Sequence, residues 1–340
     1  MARGVTMDAV RWGMIGCGDV AEVKAGPGFQ NATGSTLLAV MRRDIEKARD
    51  FARRHGVSRV HTTATDLIGD PDVDAVYIAT PPVSHCELAL AVARARKPCL
   101  VEKPMAMNHA ECARMLEAFE DAGAPLWVAF YRRALPRYLL VRDLLGERAI
   151  GHLTSVQVEV FDRLASGERA RAWRFNAGIA GGGLFLDMGS HCMDMIDFLV
   201  GPVQEVSAVA LNTGATYEVE DVTVAAFRAG EQVAGSGVWN FNADRTFDQI
   251  RLVGQDGTIA FPMFTDGDVV LSARGEDRRF PVRNPAHVHQ PLIQTIVDEL
   301  SGRGRCLSTG RSGHRTAWVM ERCLASYYAG SSSTGIDTIT

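Results

Sequence analysis

Between residues 11 and 130 short apolar runs alternate with stretches whose apolar residues recur every three to four positions. That alternation predicts β-strands and α-helices taking turns around a parallel, doubly wound sheet. Strands are expected at Arg11–Ile15, Thr36–Met41, Ala75–Ala79, Cys99–Glu102 and Leu126–Phe130. Most of them lack polar alternation, as strands covered by helices on both faces do. Ile45–His55 reads as a helix stopped by Gly56; Glu87–Ala95 and Ala110–Ala122 read the same way, the last ending at Gly123. Gly26-Pro27-Gly28 is expected to break or shorten the helix after the first strand.

After residue 150 the period changes to two. In Thr154–Phe161 the residues Val156, Val158 and Val160 share one face. Further strands are expected at Val203–Leu211, Asp221–Phe227, Val233–Phe241, Phe247–Val253, Thr258–Phe261 and Val269–Ala273, with Asp256-Gly257 as a hairpin turn. One-sided alternation predicts an antiparallel sheet with one face on the core and the other toward solvent or a partner. Helices are expected at about 187–199, 290–300 and 312–329, and the Ser331–Ser333 tail is expected to fray. The chain divides into two domains, 8–130 and 131–330, and its 340 residues suit two cores better than one.

Composition narrows the function. With 46% apolar and 22% charged residues the chain can bury ordinary cores. A net charge of -4 with interspersed signs leaves no footprint for nucleic acid or a membrane surface, which directs attention to a small-molecule ligand. The seven cysteines are scattered and form no C-x-x-C pair, which argues against structural zinc and a disulfide scaffold. No leader-like or membrane-spanning apolar run is seen, so a cytoplasmic location is expected. His287-Val288-His289 has no nearby Cys or acid to complete a metal set, and no metal is expected. Ser190 lacks the G-x-S-x-G frame of a serine hydrolase.

The strongest chemical signal is Gly16-Cys17-Gly18-Asp19-Val20-Ala21, a G-x-G-x-x-A run directly after the first strand. The first glycine makes a tight turn, the second lets backbone approach a diphosphate, and the small third residue lets helix and strand pack closely. The helix N-terminus then faces the anion. A glycine turn without a ligand is the alternative. At the end of the second strand, where an acid would accept the ribose 2′-hydroxyl of NAD, stand Arg42 and Arg43. Their fork of donors suits a 2′-phosphate, so NADP is favoured with NAD as the alternative, unless both arginines are merely solvated. Asp44 is better placed as the N-cap of the next helix.

Two more segments bear on chemistry. Glu102-Lys103-Pro104 lies at the carboxyl end of an expected strand, where open parallel sheets bind ligands. Lys103 there can donate a hydrogen bond or proton to a substrate oxygen; a surface lysine is the alternative. After the Gly181–Gly183 run, Asp187 and His191 stand four apart and share a helix face, with Asp194 on the same stripe and Met188, Cys192, Met195, Ile196 and Leu199 on an apolar one. Histidine is the natural proton shuttle near neutral pH, and a nearby carboxylate can orient it. A capping aspartate with a satisfied core histidine is the alternative.

Taken in order, these residues resemble the glucose-fructose oxidoreductase and inositol dehydrogenase superfamily. The resemblance spans nearly the whole chain. It rests on Gly16–Ala21, on Ala79-Thr80-Pro81-Pro82-Val83-Ser84-His85, on Glu102-Lys103-Pro104, on Trp173-Arg174, and on Asp187 with His191. It implies an N-terminal Rossmann domain and a C-terminal α+β domain on an open, mostly antiparallel sheet that often serves as an oligomer interface, giving a homodimer or homotetramer. It implies hydride transfer between nicotinamide and a hydroxyl or carbonyl carbon of a sugar, anhydrosugar, inositol or related polyol. Lys103, Asp187 and His191 would be the catalytic trio. Gly16, Cys17, Gly18, Asp19, Val20, Arg42, Arg43, Thr80, Pro81, Pro82, His85, Glu102 and Lys103 would line the cofactor. Tyr131, Arg132, Trp173, Arg174, Asp187 and His191 would line the substrate. Arg42 departs from the NAD-preferring members, which carry aspartate there. The alternatives are a biliverdin-reductase-like enzyme for another carbonyl or conjugated acceptor, and a non-catalytic dinucleotide-sensing regulator.

Overall fold

A computed structural model describes residues 9–165, 167 and 172–330. The expected frayed tail at Ser331–Ser333 lies outside them. The described chain forms two compact units.

The first unit holds the chain up to Leu139 together with Asn284–His314. Its six strands are β1 (Val10–Ile15), β2 (Ser35–Met41), β3 (Arg59–His61), β4 (Ala75–Ile78), β5 (Cys99–Val101) and β6 (Leu126–Val128). All pair in parallel, in the order β3-β2-β1-β4-β5-β6. Strands β4, β5 and β6 are buried along their whole length, the two-sided coverage that their unbroken apolar runs predict. β3 was not anticipated, because its three half-buried residues offer too short a run to read.

Register brings the strand ends level. Ile15 pairs with both Met41 and Ile78, Ile78 with Val101, and Val101 with Val128. The chain therefore leaves one common edge at Gly16, Arg42, Ala79, Glu102 and Ala129. Strand order reverses between β1 and β4, and the crevice at such a reversal is where open α/β sheets take ligands.

Two expectations need correcting. The helix after β1 is not broken at Gly26-Pro27-Gly28: helical backbone runs through Asn31, with a π turn over Ala21–Ala25, closed by Gly26 N–H donating to Ala21 O, that leads into Gly26–Asn31. Nor does one cut at residue 130 divide the chain, since the Gln290–Leu300 helix returns to the first unit. Gly28 permits this, because a Cβ there would stand 3.2 Å from Gln290 N. Gln294 then accepts from Thr33 N–H at 2.8 Å and donates to Thr33 O at 3.2 Å.

The second unit holds Leu140–Arg283 and the chain from Arg315. Eight strands follow: β7 (Leu153–Phe161), β8 (Val203–Leu211), β9 (Val222–Ala229), β10 (Val233–Asn240), β11 (Phe247–Gly254), β12 (Gly257–Phe261), β13 (Val269–Ala273) and β14 (Glu276–Phe280). Their order is β14-β13-β12-β11-β7-β10-β9-β8, an open sheet. Only β7 and β10 run parallel; every other pair is antiparallel. The charged run of β14 concealed it from a hydrophobicity reading. Val156, Val158 and Val160 of β7 are buried as their alternation predicts. Phe185 meets Trp239 edge-on at 4.9 Å, both fully buried, which seats the helical segment after Gly183 on the sheet. Such side chains contribute about 2–3 kcal/mol each on burial. The opposite face exposes Val209, Leu211 and Val224 among polar neighbours.

Candidate active site

At the reversal between β1 and β4, Gly16 adopts φ +98°, a conformation that side chains resist. A Cβ on Gly16 would stand 2.7 Å from Ala79 O, so glycine is also what lets the β1 and β4 exits touch. A Cβ on Gly18 would meet nothing within 4 Å. The backbone there faces open space at the start of a helix, as close approach of a diphosphate requires. Asp19 is exposed and Val20 half-buried in the first helical turn, whereas Cys17 is buried, with its thiol pushed up by burial.

Arg42 is half-buried and its Nη1 donates to Cys17 O at 3.1 Å, which holds the guanidinium beside the glycine turn; Arg43 is exposed. Asp44 caps the Ile45–His55 helix by accepting from Lys47 N–H at 3.2 Å, as expected. The glycine turn, the open backbone and the neighbouring guanidinium together fit a dinucleotide.

After β4, Thr80 and Pro81 are half-exposed and Pro82 buried, and Ser84 Oγ lies 2.7 Å from Thr80 Oγ1. His85 is wholly buried, with Nε2 2.7 Å from Thr80 O and Nδ1 3.0 Å from Pro104 O. It clips the β4 exit to the β5 exit from inside and so holds the ligand-facing loop without being exposed to a ligand. Burial pushes its pKa down against the pull of those carbonyls.

Glu102 is also internal. Its carboxylate accepts from Tyr77 O–H at 2.5 Å and from Lys103 N–H at 3.1 Å, which fixes the backbone that carries Lys103. Burial pushes the Glu102 carboxyl up, opposed by the Tyr77 donor and the Lys103 ammonium. Lys103 itself is half-buried at the strand exit. Beside Glu102 lies His289, with Nδ1 3.8 Å from Oε1 and its ring 4.6 Å from that of Tyr131. Burial, reinforced by Lys24, Arg132 and Lys103, pushes His289 down to about 3, so it is neutral at ordinary pH. Arg132 lies 4.8 Å and Lys24 5.8 Å from the Tyr131 ring centre. Tyr131 and Arg132 thus take their places in the first unit around a histidine that sequence reading considered only as a metal ligand. Nothing local signals this, because His289 arrives from 158 positions beyond Tyr131 (289 minus 131).

In the second unit, Trp173 is 38% exposed and carries the Arg174 guanidinium at 4.5 Å from its ring centre. Arg174 Nε lies 3.6 Å from Asp187 Oδ2, so these three expected substrate residues are brought together. The regular helix expected from 187 is replaced by a π turn, Phe185–Gly189, that leads into Ser190–Leu199. Helical backbone thus runs through both Asp187 and His191. Asp187 is half-buried; His191 is 5% exposed, its ring edge-on to Phe264 at 6.3 Å. Asp194 is buried near Thr316. Asp248, unmarked by any motif, accepts from the N–H groups of Met263, Phe264 and Thr265 and so places Phe264. The helices that follow Gly18 and Gly183 each contain a π turn near their start, a local widening common at functional sites.

Residues 10–130 match the family described as "oxidoreductase family, NAD-binding Rossmann fold", and residues 138–260 the "GFO/IDH/MocA C-terminal domain". The chain is 37% identical to Oxidoreductase P35 of Formosa agariphila over 85% of its own length and 90% of the relative's. It is 32% identical to inositol 2-dehydrogenase of Acidothermus cellulolyticus, covering 91% of this chain and 88% of that one. A solved levoglucosan dehydrogenase in complex with NADH and levoglucosan shares the fold with a TM-score of 0.84, at 24% identity over 96% of this chain and 98% of that chain.

Proposed function

Because this chain belongs to the Gfo/Idh/MocA family of NAD-binding oxidoreductases, we propose that it transfers a hydride to or from a hydroxyl or carbonyl carbon of a sugar, anhydrosugar, inositol or related polyol. The observation that carries this reading is the β1–β4 reversal, where the Gly16 turn, the open backbone of Gly18 and the strand exit bearing Lys103 share one edge. The named activities of relatives, inositol 2-dehydrogenase and levoglucosan dehydrogenase among them, support the substrate class.

A bound nicotinamide dinucleotide would supply the hydride-exchanging carbon. Gly16, Gly18 and the helix N-terminus would hold its diphosphate, and Arg42 a 2′-phosphate, which is our ground for favouring NADP; the levoglucosan dehydrogenase complex holds NADH. Lys103 contributes a hydrogen-bond or proton donor, its backbone fixed by Glu102. His191 contributes the acid or base, and Asp187 with Arg174 and Trp173 contributes contacts to substrate hydroxyls. We further propose a cytoplasmic enzyme, in keeping with seven cysteines that are all buried, that assembles as a homodimer or homotetramer through the sheet face exposing Val209, Leu211 and Val224. Among the described residues no helix is long and apolar enough to cross a membrane.

The test is a titration of NADPH against NADH, followed by energy transfer from tryptophan to nicotinamide, and then a polyol and sugar screen with the preferred cofactor. We expect tighter NADPH binding and turnover of at least one polyol. Binding of neither dinucleotide would remove the reading.

A further inference from the structure

Glu220 stands just before β9, outside every motif, and is 0% exposed. Its Oε1 accepts from Gly183 N–H at 2.8 Å and its Oε2 from Tyr328 O–H at 2.7 Å. Gly183 and Leu186 open the helical segment that carries Asp187 and His191, and Gly183 O in turn accepts from Asp187 N–H at 3.3 Å. A Cβ on Gly183 would stand 2.5 Å from Glu220 O, so glycine is needed for this approach. First-turn amides of a helix have no partner within it, and here a carboxylate from the segment before β9 supplies one.

We propose that Glu220 is a positioning residue for the reaction: it never meets substrate, and through Gly183 it sets where Asp187 and His191 stand, with Tyr328 holding the carboxylate. The inference rests on the proposed roles of Asp187 and His191. Burial pushes the Glu220 carboxyl up, opposed by the Tyr328 and Gly183 donors, so a buried acidic side chain is kept where it can accept from that amide. Leaving the buried Gly183 amide without an acceptor carries the full cost of its desolvation.

Glu220→Ala, Glu220→Gln and Tyr328→Phe test this. Turnover is measured per dinucleotide-binding site, so that unfolded protein drops out, together with the isotope effect on hydride transfer. The His191 resonance is followed in a histidine-labelled spectrum, assigned by its loss in His191→Gln. We expect Glu220→Ala to lower turnover per site about 10- to 100-fold, the range that misplacement of about 1 Å causes. The isotope effect should rise, Glu220→Gln should recover part of the loss, and Tyr328→Phe should cost less than either. The His191 resonance should move in both Glu220 variants. Should Glu220→Ala fail to fold, Glu220→Gln and Tyr328→Phe decide.

An unmoved His191 resonance overturns the proposal, as does a moved one with unchanged turnover per site. A loss of activity matched by an equal loss of binding sites would leave only a structural role and overturn it too. If the wild-type enzyme turns over no polyol, the functional reading fails, and the His191 resonance still decides whether Glu220 positions the helix.

Discussion

Gly16 and Gly18 separate two effects that a glycine fingerprint usually merges. In Gly16→Ala the new methyl meets Ala79 O at 2.7 Å and Ala79 C at 2.8 Å, both backbone atoms that cannot rotate away, on a residue held at φ +98°. Conformational strain of about 1–3 kcal/mol is expected from that backbone alone, before the β4 exit is displaced. A total near 3 kcal/mol would lower Tm by about 6–12 °C in a unit of this size. In Gly18→Ala the methyl enters open space, so stability should change by less than about 0.5 kcal/mol. What it removes is the close approach of the cofactor. Loss of one charge-assisted hydrogen bond costs about 1.5–3 kcal/mol, which is roughly 10- to 150-fold in Kd. Thermal unfolding without ligand and titration of dinucleotide by tryptophan energy transfer read the two separately. We expect Gly16→Ala to fail in both and Gly18→Ala in binding alone. Wild-type affinity in Gly18→Ala would refute the placement of the diphosphate, and an unchanged Tm in Gly16→Ala would refute the strain argument.

Arg42→Asp should weaken NADPH binding about 10- to 100-fold and leave NADH little changed; an equal effect on both would show that Arg42 serves the turn through Cys17 O rather than a phosphate. Lys103→Ala should lower turnover by orders of magnitude with little effect on cofactor affinity, and unchanged turnover would end its assignment. Burial alone would raise the Asp70 carboxyl, but donors from Asp72 N–H, Arg59 and His61 outweigh it and hold it at about 2. A depressed folded-state pKa stabilises above the unfolded value, so this contribution, about 2 kcal/mol, is complete above about pH 4 and lost as pH falls toward 2. Asp70→Asn should flatten Tm against pH in that window, and an acid limb as steep as the wild type's would contradict the assignment.

Local signals were legible wherever one segment's chemistry suffices. Unbroken apolar runs marked β4, β5 and β6, alternation marked β7, and Asp44 announced its cap because the bond spans three residues. The fingerprint was readable for the same reason: its turn, its open backbone and its helix start are consecutive. Short or charged strands such as β3 and β14 escaped, since edge strands need little apolar surface and are completed by a neighbour's hydrogen bonds. By itself, then, the sequence determined the order of the longer elements, the family and the glycine turn after β1, and it named the residues we propose for the chemistry. Only the tertiary structure decided that Gln290–Leu300 belongs to the first unit, that His289 lies beside Glu102 and Tyr131, that His85 and Glu102 face inward, and that Glu220 holds the turn before Asp187. Those contacts join residues far apart in the chain, where no period or spacing records the partner, and burial rather than local preference selects it.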